Sequence, residues 1–301
     1  MRYAREKKSG AALMLSLWAL FLLSAMVISW AIDIDSRLVL SGQSNRVLEA
    51  EAMACSGAEI AMHPAVLPGS PLLRGGLARN QTFETRITGE GGRLNINWLV
   101  AGENPLHLEV LRKYLENKGV DLNERDHMID CLLDWVDPDN LVRLNGAEDE
   151  PGYKTANKLL SSVDELKRVR GWGEFTSQKD WDADFTLKSQ GPIDIRWASR
   201  DVLLALPGMD AGRVDQFLAL RRGQDGIEGT EDDPIKNPAD ARIALGFSQP
   251  QFDQIAPLLN PGNDSTFRVT SVGKSGDVTR VVRMVIRKAG NSVQLLSWKE
   301  L

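Results

Sequence analysis

Between Ala11 and Ile32 the chain runs for 22 residues without one Asp, Glu, Lys, Arg or His. Coiled as a helix, that run is about 33 Å long, enough to cross a hydrocarbon layer of about 30 Å. A cleavable signal peptide has a shorter apolar region with a small-residue cleavage site beyond it. Here the helical pattern continues instead: Ile34, Leu38, Val47, Leu48, Ala52, Cys55 and Ala58 recur at mostly helical spacing until His63-Pro64 closes the run. The spacing predicts one long helix, half in lipid and half amphipathic. Arg2, Arg5, Lys7 and Lys8 ahead of it place the N-terminus in the cytoplasm and everything after Ile32 across the membrane. By itself the segment fits a plain signal anchor equally well.

Beyond the helix the chain reads as an ordinary globular protein, and its 301 residues suffice for two or three modules. A formal net charge of −5 argues against a protein built to grip phosphate backbones. Two cysteines, Cys55 and Cys131, exclude a disulfide scaffold and a Cys-rich zinc site and leave room for one bridge in an oxidising compartment. Cys131 lies in an apolar helical pattern, where a buried free thiol is the simpler expectation.

After a Pro/Gly-rich link, "TFETRIT" alternates Phe83, Thr85 and Ile87 on one face, "GEGG" supplies turn glycines, and "RLNINWL" alternates again. This predicts a hairpin. Near the C-terminus three strand-like runs, Phe267–Val272, Val278–Arg287 and Ser292–Trp298, are separated by glycine turns. Between these β segments lies a helical block from about Leu106 to Leu259. Within it "SSVDELKRVRGW" and "ASRDVLLALPGM" both start on a Ser/Asp signal and end on a turn glycine. The second continues into "DAGRVDQFLALRR", a helix–turn–helix similar to the helix-hairpin-helix module. In DNA-binding copies of that module the hairpin glycines offer backbone N–H groups to phosphate; other copies only pack. Asp210 directly after the turn and the acidic chain favour packing.

Two acidic clusters stand out. "LLDWVDPDNLVRLNGAEDEPGY" carries Asp134, Asp137, Asp139, Glu148, Asp149 and Glu150, and "GQDGIEGTEDDP" carries Asp225, Glu228, Glu231, Asp232 and Asp233. Neither has EF-hand spacing, and a solvated acidic loop is the alternative reading of each. Carboxylates crowded into one turn repel unless a cation offsets them, and a hard cation such as Ca²⁺ takes oxygen ligands in flexible geometry. Asp137, Asp139, Glu148 and Asp149 are the first ligand candidates, with Asp225, Asp232 and Asp233 second. Catalysis has little support. His63, His107 and His127 show no ligand or base spacing, and no nucleophile elbow, P-loop or dinucleotide fingerprint occurs. Trp98, Trp135, Trp172, Trp181, Trp197 and Trp298 are scattered singly, as core residues are.

The basic leader ending in Gly10, followed at once by the apolar helix, resembles the prepilin signal of type IV pilins and type II secretion pseudopilins. With "GGRLNIN", "LLDWVDPDN" and "NGAEDEPGY", "DELKRVRGW", "PIDIRWASRDVLLALPGM" and the closing "SWKE", nearly the whole chain resembles the general secretion pathway protein K (GspK) family of minor pseudopilins of the type II secretion system. The resemblance implies an α+β fold in which a long pilin-type transmembrane helix packs on a small antiparallel sheet and carries a large inserted all-α domain with helix-hairpin-helix-like units. It divides the chain into a leader (1–10), a transmembrane half-helix (11–32), a periplasmic half-helix (33–62), the first part of the sheet (63–100), the inserted domain (101–261) and the rest of the sheet (262–301). It also implies cleavage by prepilin peptidase between Gly10 and Ala11 with methylation of the new N-terminus, and a calcium ion in the inserted domain. The cellular setting it implies is one span of the bacterial inner membrane with a periplasmic C-terminal part. The implied role is non-enzymatic: capping the tip of the pseudopilus beside other minor pseudopilins, above the major one, in support of protein export.

Most such proteins carry Glu as the fifth mature residue; here it is Leu15, a departure that fits the K family. A buried carboxylate without a partner costs several kcal/mol, and a subunit with no neighbour above it has no amine to pair with that Glu. Assembly is assigned to Leu15, Ile34, Leu38 and Leu48 on the long helix. The alternatives are an anchored periplasmic DNA-uptake protein working through the helix-hairpin-helix units, which requires salt-dependent DNA binding, and a minor pilin of a related type IV filament.

Overall fold

The computed structural model describes residues 9–260, 262 and 264–301. The basic leader residues Arg2, Arg5, Lys7 and Lys8 lie outside the described residues. Helix α1 runs unbroken over Ser9–Met62, 54 residues and about 80 Å. From Ala11 to Glu49 its described side chains are almost all exposed, and it is long and apolar enough to cross a membrane once. From Ala50 onward it lies on a sheet.

That sheet comprises β1 (Arg74–Ala78), β2 (Gln81–Gly89), β5 (Thr266–Ser275), β6 (Val278–Ala289) and β7 (Ser292–Glu300), in the spatial order β1-β2-β5-β6-β7 with every neighbouring pair antiparallel. The long central pairing joins β2 to β5, which are some 180 residues apart in the chain (Thr85 lies opposite Ser271). The helical block is therefore an insertion into the sheet. The three C-terminal strands follow the alternation seen in the sequence and run a few residues further at their ends.

The predicted N-terminal hairpin is corrected. The partner of β2 is β1, "RGGLA", and not "RLNINWL". Glycines gave β1 a poor strand signature, but the Phe83 ring lies across Gly75, where a Cβ would come within 2.8 Å of it; the aromatic ring supplies the side-chain packing that glycine lacks. In "RLNINWL" only Leu94–Asn95 form a strand, β3, which pairs in parallel with β4 (Phe185–Thr186). The Asn95 side chain then accepts a hydrogen bond from the Trp98 backbone N–H at 3.2 Å and starts helix α2 (Ile96–Val100), as an N-cap does.

The block continues through α3 (Pro105–Asn117), α4 (Leu122–Val136), α5 (Gly173–Ser177), α6 (Arg200–Leu204), α7 (Ala211–Arg221), α8 (Pro238–Ala244) and α9 (Gln249–Ile255). "VDELKR" forms a 3₁₀ turn with a Ser162–Glu165 capping box, shorter than the predicted helix. The second unit is helix–turn–helix as expected: Ser199 caps α6, Gly208 takes the turn at φ +78°, and Asp210 caps α7.

Two cores result. One lies between α1 and the sheet, where Ala54, Ala58 and Ala61 meet Ile87, Val269, Val282, Met284 and Ile286. Small helix residues let the two backbones approach closely. The other fills the block around Phe185, whose ring centroid lies 5.2 Å from that of Tyr114, 6.0 Å from Phe175 and 6.1 Å from Trp172. The indole of Trp172 donates to Met128 O at 2.8 Å. Trp135 and Trp172 are core residues as expected, whereas Trp298 is 38% exposed on β7. The cores are joined by a buried ion pair, in which Arg268 on β5 grips Glu90 through Nε (2.9 Å) and Nη2 (2.7 Å) while also donating to the Phe185 carbonyl. Both cysteines are free thiols, and burial pushes the Cys131 thiol up to about 12.

Candidate functional site

Helix α4 ends on two carboxylates one turn apart, Asp134 and Asp137, so both project from the same side. The following loop has no regular structure and folds back until Glu148 joins them. One oxygen from each of the three lies within 4.8 Å of the others. Asp134 and Glu148 are buried. Gly146 makes the fold-back feasible, because a Cβ there would sit 1.9 Å from Asp134 Oδ2.

The oxygens are unequally satisfied. Arg143, in the middle of the loop, donates through Nη1 to Asp134 Oδ1 and to Asp137 Oδ2, both at 2.5 Å, and through Nη2 to Glu103 at 2.6 Å. Glu148 Oε2 accepts from the Thr155 hydroxyl at 2.9 Å. Asp137 Oδ1 and Glu148 Oε1 are buried without a hydrogen-bond partner among the described residues. Burial raises the Glu148 carboxyl above the usual Glu range, and the negative charges of Asp134, Asp137 and Asp149 raise it further against the Thr155 hydrogen bond. Orphaned buried carboxylate oxygens are costly. A hard divalent cation fits this all-oxygen donor set.

Of the first ligand candidates, Asp137 and Glu148 are brought together, and Asp134 joins them. Asp139 lies outside the group, exposed, and accepts the Leu141 N–H at 2.8 Å. Asp149 accepts the Thr155 N–H (2.8 Å) and hydroxyl (2.9 Å), bonds that hold its carboxyl below the usual range. Both build the loop. Asp134 stood in the sequence cluster, and its i, i+3 relation to Asp137 was the available signal.

The second acidic loop is arranged differently. Asp232 accepts from Thr230 Oγ1 (2.6 Å) and from the N–H groups of Asp225 (3.0 Å) and Gln224 (2.6 Å), which hold its carboxyl down at about 2. Asp225 accepts from Ile227 N–H at 2.7 Å. Buried Asp233 accepts from Gly229 N–H at 2.6 Å, and its other oxygen has no hydrogen-bond partner among the described residues. These carboxylates mostly bond the loop's own backbone.

On α1 the residues assigned to assembly all face outward: Leu15 (72% exposed), Ile34 (42%), Leu38 (66%) and Leu48 (61%). Ala52 is exposed too, while the sheet covers Ala50, Met53, Ala54 and Ala58. The sheet thus takes the small-residue face and leaves the large apolar side chains bare. Gly10 and Ala11 lie in the first turns of α1.

Residues 92–179, which contain the acidic site, match the family model "Type II secretion system (T2SS), protein K". Curated relatives include type II secretion system protein K of Klebsiella pneumoniae, 38% identical over 73 residues (22% of this chain and 22% of that protein), and of Pectobacterium carotovorum subsp. carotovorum, 33% identical over 75 residues (23% of each). The matched segments span less than a quarter of those relatives. Among solved structures, a chain in the crystal structure of the GspK-GspI-GspJ complex from the enterotoxigenic Escherichia coli type 2 secretion system superposes with a TM-score of 0.59. It is 16% identical, and the match covers 88% of this chain and 99% of that one, a likeness of fold over nearly the full length. Residues 92–179 are thus similar to type II secretion system protein K, and over nearly the whole chain the likeness to the solved structure is one of fold.

Proposed function

We propose that this chain is a minor pseudopilin that caps the tip of a type II secretion pseudopilus and supports its assembly and protein export. The observation that carries the proposal is the division of labour along α1. An unbroken 54-residue helix leaves its large apolar side chains uncovered from Leu13 to Leu48, and the part folded on the sheet bears a bulky block between β2 and β5. An apolar face standing beyond the membrane calls for covering by another helix, whereas a block of that size repeated at every position of a narrow fibre would clash with its neighbours. The end of the fibre accommodates both. The partners are then minor pseudopilins equivalent to GspI and GspJ, with the major pseudopilin below. The role is structural rather than catalytic.

The same reading has prepilin peptidase cut after Gly10, leaves a methylated Ala11 at the mature N-terminus, and sets the N-terminus in the cytoplasm with the sheet and block in the periplasm. Leu15 keeps the first helical turns free of a carboxylate that would lack a partner. A structural Ca²⁺ at Asp134, Asp137 and Glu148 would hold the loop after α4 against the block. The helix-hairpin-helix unit serves packing, since its cations are already engaged: Arg200 with Asp215 (2.9 Å) and Arg213 with Asp210 (3.6 Å).

Co-purification tests the proposal. Leu38→Asp and Leu48→Asp are expected to reduce recovery of the other minor pseudopilins and to impair secretion in a deletion strain, with the block still folded. Undiminished recovery from both variants removes the helix-packing basis of the tip assignment.

A further inference from the structure

Helix α1 covers only part of the sheet. Its small residues meet Ile87 on β2, Val269 on β5 and Val282, Met284 and Ile286 on β6, so the helix is centred over β5. Strands lie about 4.8 Å apart, which puts β7 about 9.6 Å to one side. That is the spacing at which a second helix packs beside a first, about 8–10 Å. β7 keeps an apolar strip on this side of the sheet. By register Leu295 stands opposite Ile286 and Trp298 opposite Met284, two residues that lie under α1. Leu295 and Trp298 are nonetheless 45% and 38% exposed. A track one helix wide is left open between α1 and the edge of the sheet.

The walls of this track are acidic. On α1 Leu48, Ala52, Cys55 and Glu59 recur at helical spacing, and Glu51 precedes Cys55 by one turn. The exposed face that carries Leu48 therefore runs on into the track. On β7 Glu300 stands opposite Val282, again on the α1 side. Burial raises the Cys55 thiol above its usual range, and the charges of Glu300, Glu51 and Glu59 raise it further; all three carboxylates thus surround one spot. Among the described residues none of the three forms an ion pair, and Glu300 accepts the Trp298 indole N–H at 3.0 Å. The cations on this side of β6 do not offset them. Lys288 donates to the carbonyls of His63 and Val66, and Arg280 pairs with no carboxylate among the described residues. Carboxylates gathered in this way repel until a cation arrives.

We propose that a helix of another protein, apolar on one face and bearing Lys or Arg beside it, lies in this track next to α1. Leu295 and Trp298 receive its apolar face, and Glu51, Glu59 and Glu300 receive its cations. Glu51 and Glu59 are two turns apart, about 12 Å, so the matching cations stand about eight positions apart on the incoming helix. A second copy of this chain does not fit. Its own helix between residues 33 and 62 carries five carboxylates against two arginines and would bring like charge to like. The inference rests on the reading of α1 as a helix packed beside partner helices. It adds what selects the partner: opposite charge, over a floor made by the sheet rather than by α1.

The test uses the full-length chain, co-expressed with the other minor pseudopilins and captured in detergent. Glu59→Lys and Glu300→Lys alter exposed side chains. Each should lower recovery of a partner several-fold, and the double variant more, with the melting temperature unchanged. Raising the salt concentration should weaken recovery by the wild-type chain and affect the double variant less. Leu295→Asp should lower recovery at every salt concentration. Leu38→Asp separates this proposal from the reading it rests on. Recovery lost in Leu38→Asp but kept in the double variant and in Leu295→Asp overturns the track and leaves helix packing along α1 intact; recovery kept in all of them overturns both. Capture of one tagged copy of this chain by a differently tagged copy, lost in the double variant, overturns the choice of partner.

Discussion

Gly273 on β5 lies so close to Ala50 on α1 that a Cβ at position 273 would stand 2.0 Å from the Ala50 carbonyl oxygen and 2.3 Å from the Ala54 nitrogen. The contact is backbone against backbone, so no side chain can swing away to make room. Gly57, on the same face of the helix, is packed by side chains instead: a Cβ there would stand 2.3 Å from Thr85 Oγ1 and 2.5 Å from Ser271 Oγ. The close seating of the helix on the sheet therefore depends on glycine from both sides.

Gly273→Ala should consequently separate helix and sheet and destabilise the fold by about 1–3 kcal/mol, the usual range for overpacking. Gly290→Ala is a weaker control, since that glycine meets nothing within 4 Å and its φ of +58° adds only local backbone strain. Denaturant unfolding of both variants checks the order.

The Glu90–Arg268 pair should be the strongest polar link between sheet and block. Glu90 is fully buried and Arg268 is 8% exposed, and Thr186 Oγ1 also donates to Glu90 Oε1 at 2.5 Å. Removing one partner of such a pair leaves a buried charge uncompensated, at a cost of about 3–5 kcal/mol. Glu90→Gln should lower the melting temperature and expose the linkers flanking the block to proteolysis. An unchanged melting temperature would mean that solvent already reaches the pair.

Intact-mass analysis of membrane-extracted protein should find a chain that begins at a methylated Ala11. Gly10→Leu should leave the leader attached, because the proposed cut needs a small residue there. A chain cut beyond Ala31, or one left whole, would remove the pilin reading of α1. Leu15→Glu should never be required for secretion and should be neutral or harmful.

How much of this was legible in the sequence depended on whether a residue's surroundings are local. The uncharged run from Ala11 to Ile32 and the alternation of Val269, Val282, Met284 and Ile286 revealed α1 and the C-terminal strands, because periodicity alone reports which face is covered. Strand β1 was not legible, since its support comes from Phe83 on the neighbouring strand. Nor was the turn at Asn95, where one cap outweighs an alternating pattern. Acidic loops were the hardest to read. A run of carboxylates looks the same whether its oxygens turn inward, as Glu148 does, or bond the loop's own backbone, as Asp232 does.

The acidic site leads to the last prediction, because Arg143 already supplies a positive charge there. Its guanidinium takes Asp134 Oδ1 and Asp137 Oδ2, two of the oxygens a divalent cation would want. Cation and guanidinium therefore compete, and Arg143→Gln should raise Ca²⁺ affinity while lowering the melting temperature of the calcium-free protein. Glu148→Gln should remove binding by deleting a buried ligand. In the wild-type chain, calcium at a hundredfold excess over Kd should add about 2.7 kcal/mol of stability. The pH dependence follows from Glu148, whose carboxyl is raised by burial above its ordinary value of 4.5. Without metal, the folded state holds this proton more tightly than the unfolded chain, so the Glu148 contribution to stability declines as pH rises from 4.5 through the raised value. With metal the carboxylate must be ionised, so the calcium-induced gain should shrink on acidification and begin to do so above pH 4.5. Thermal melts with calcium and with chelator across that range measure both slopes. If the chelator shifts neither the wild type nor Arg143→Gln at any pH, Arg143 alone neutralises the cluster, and the loop is held by an ion pair rather than a metal.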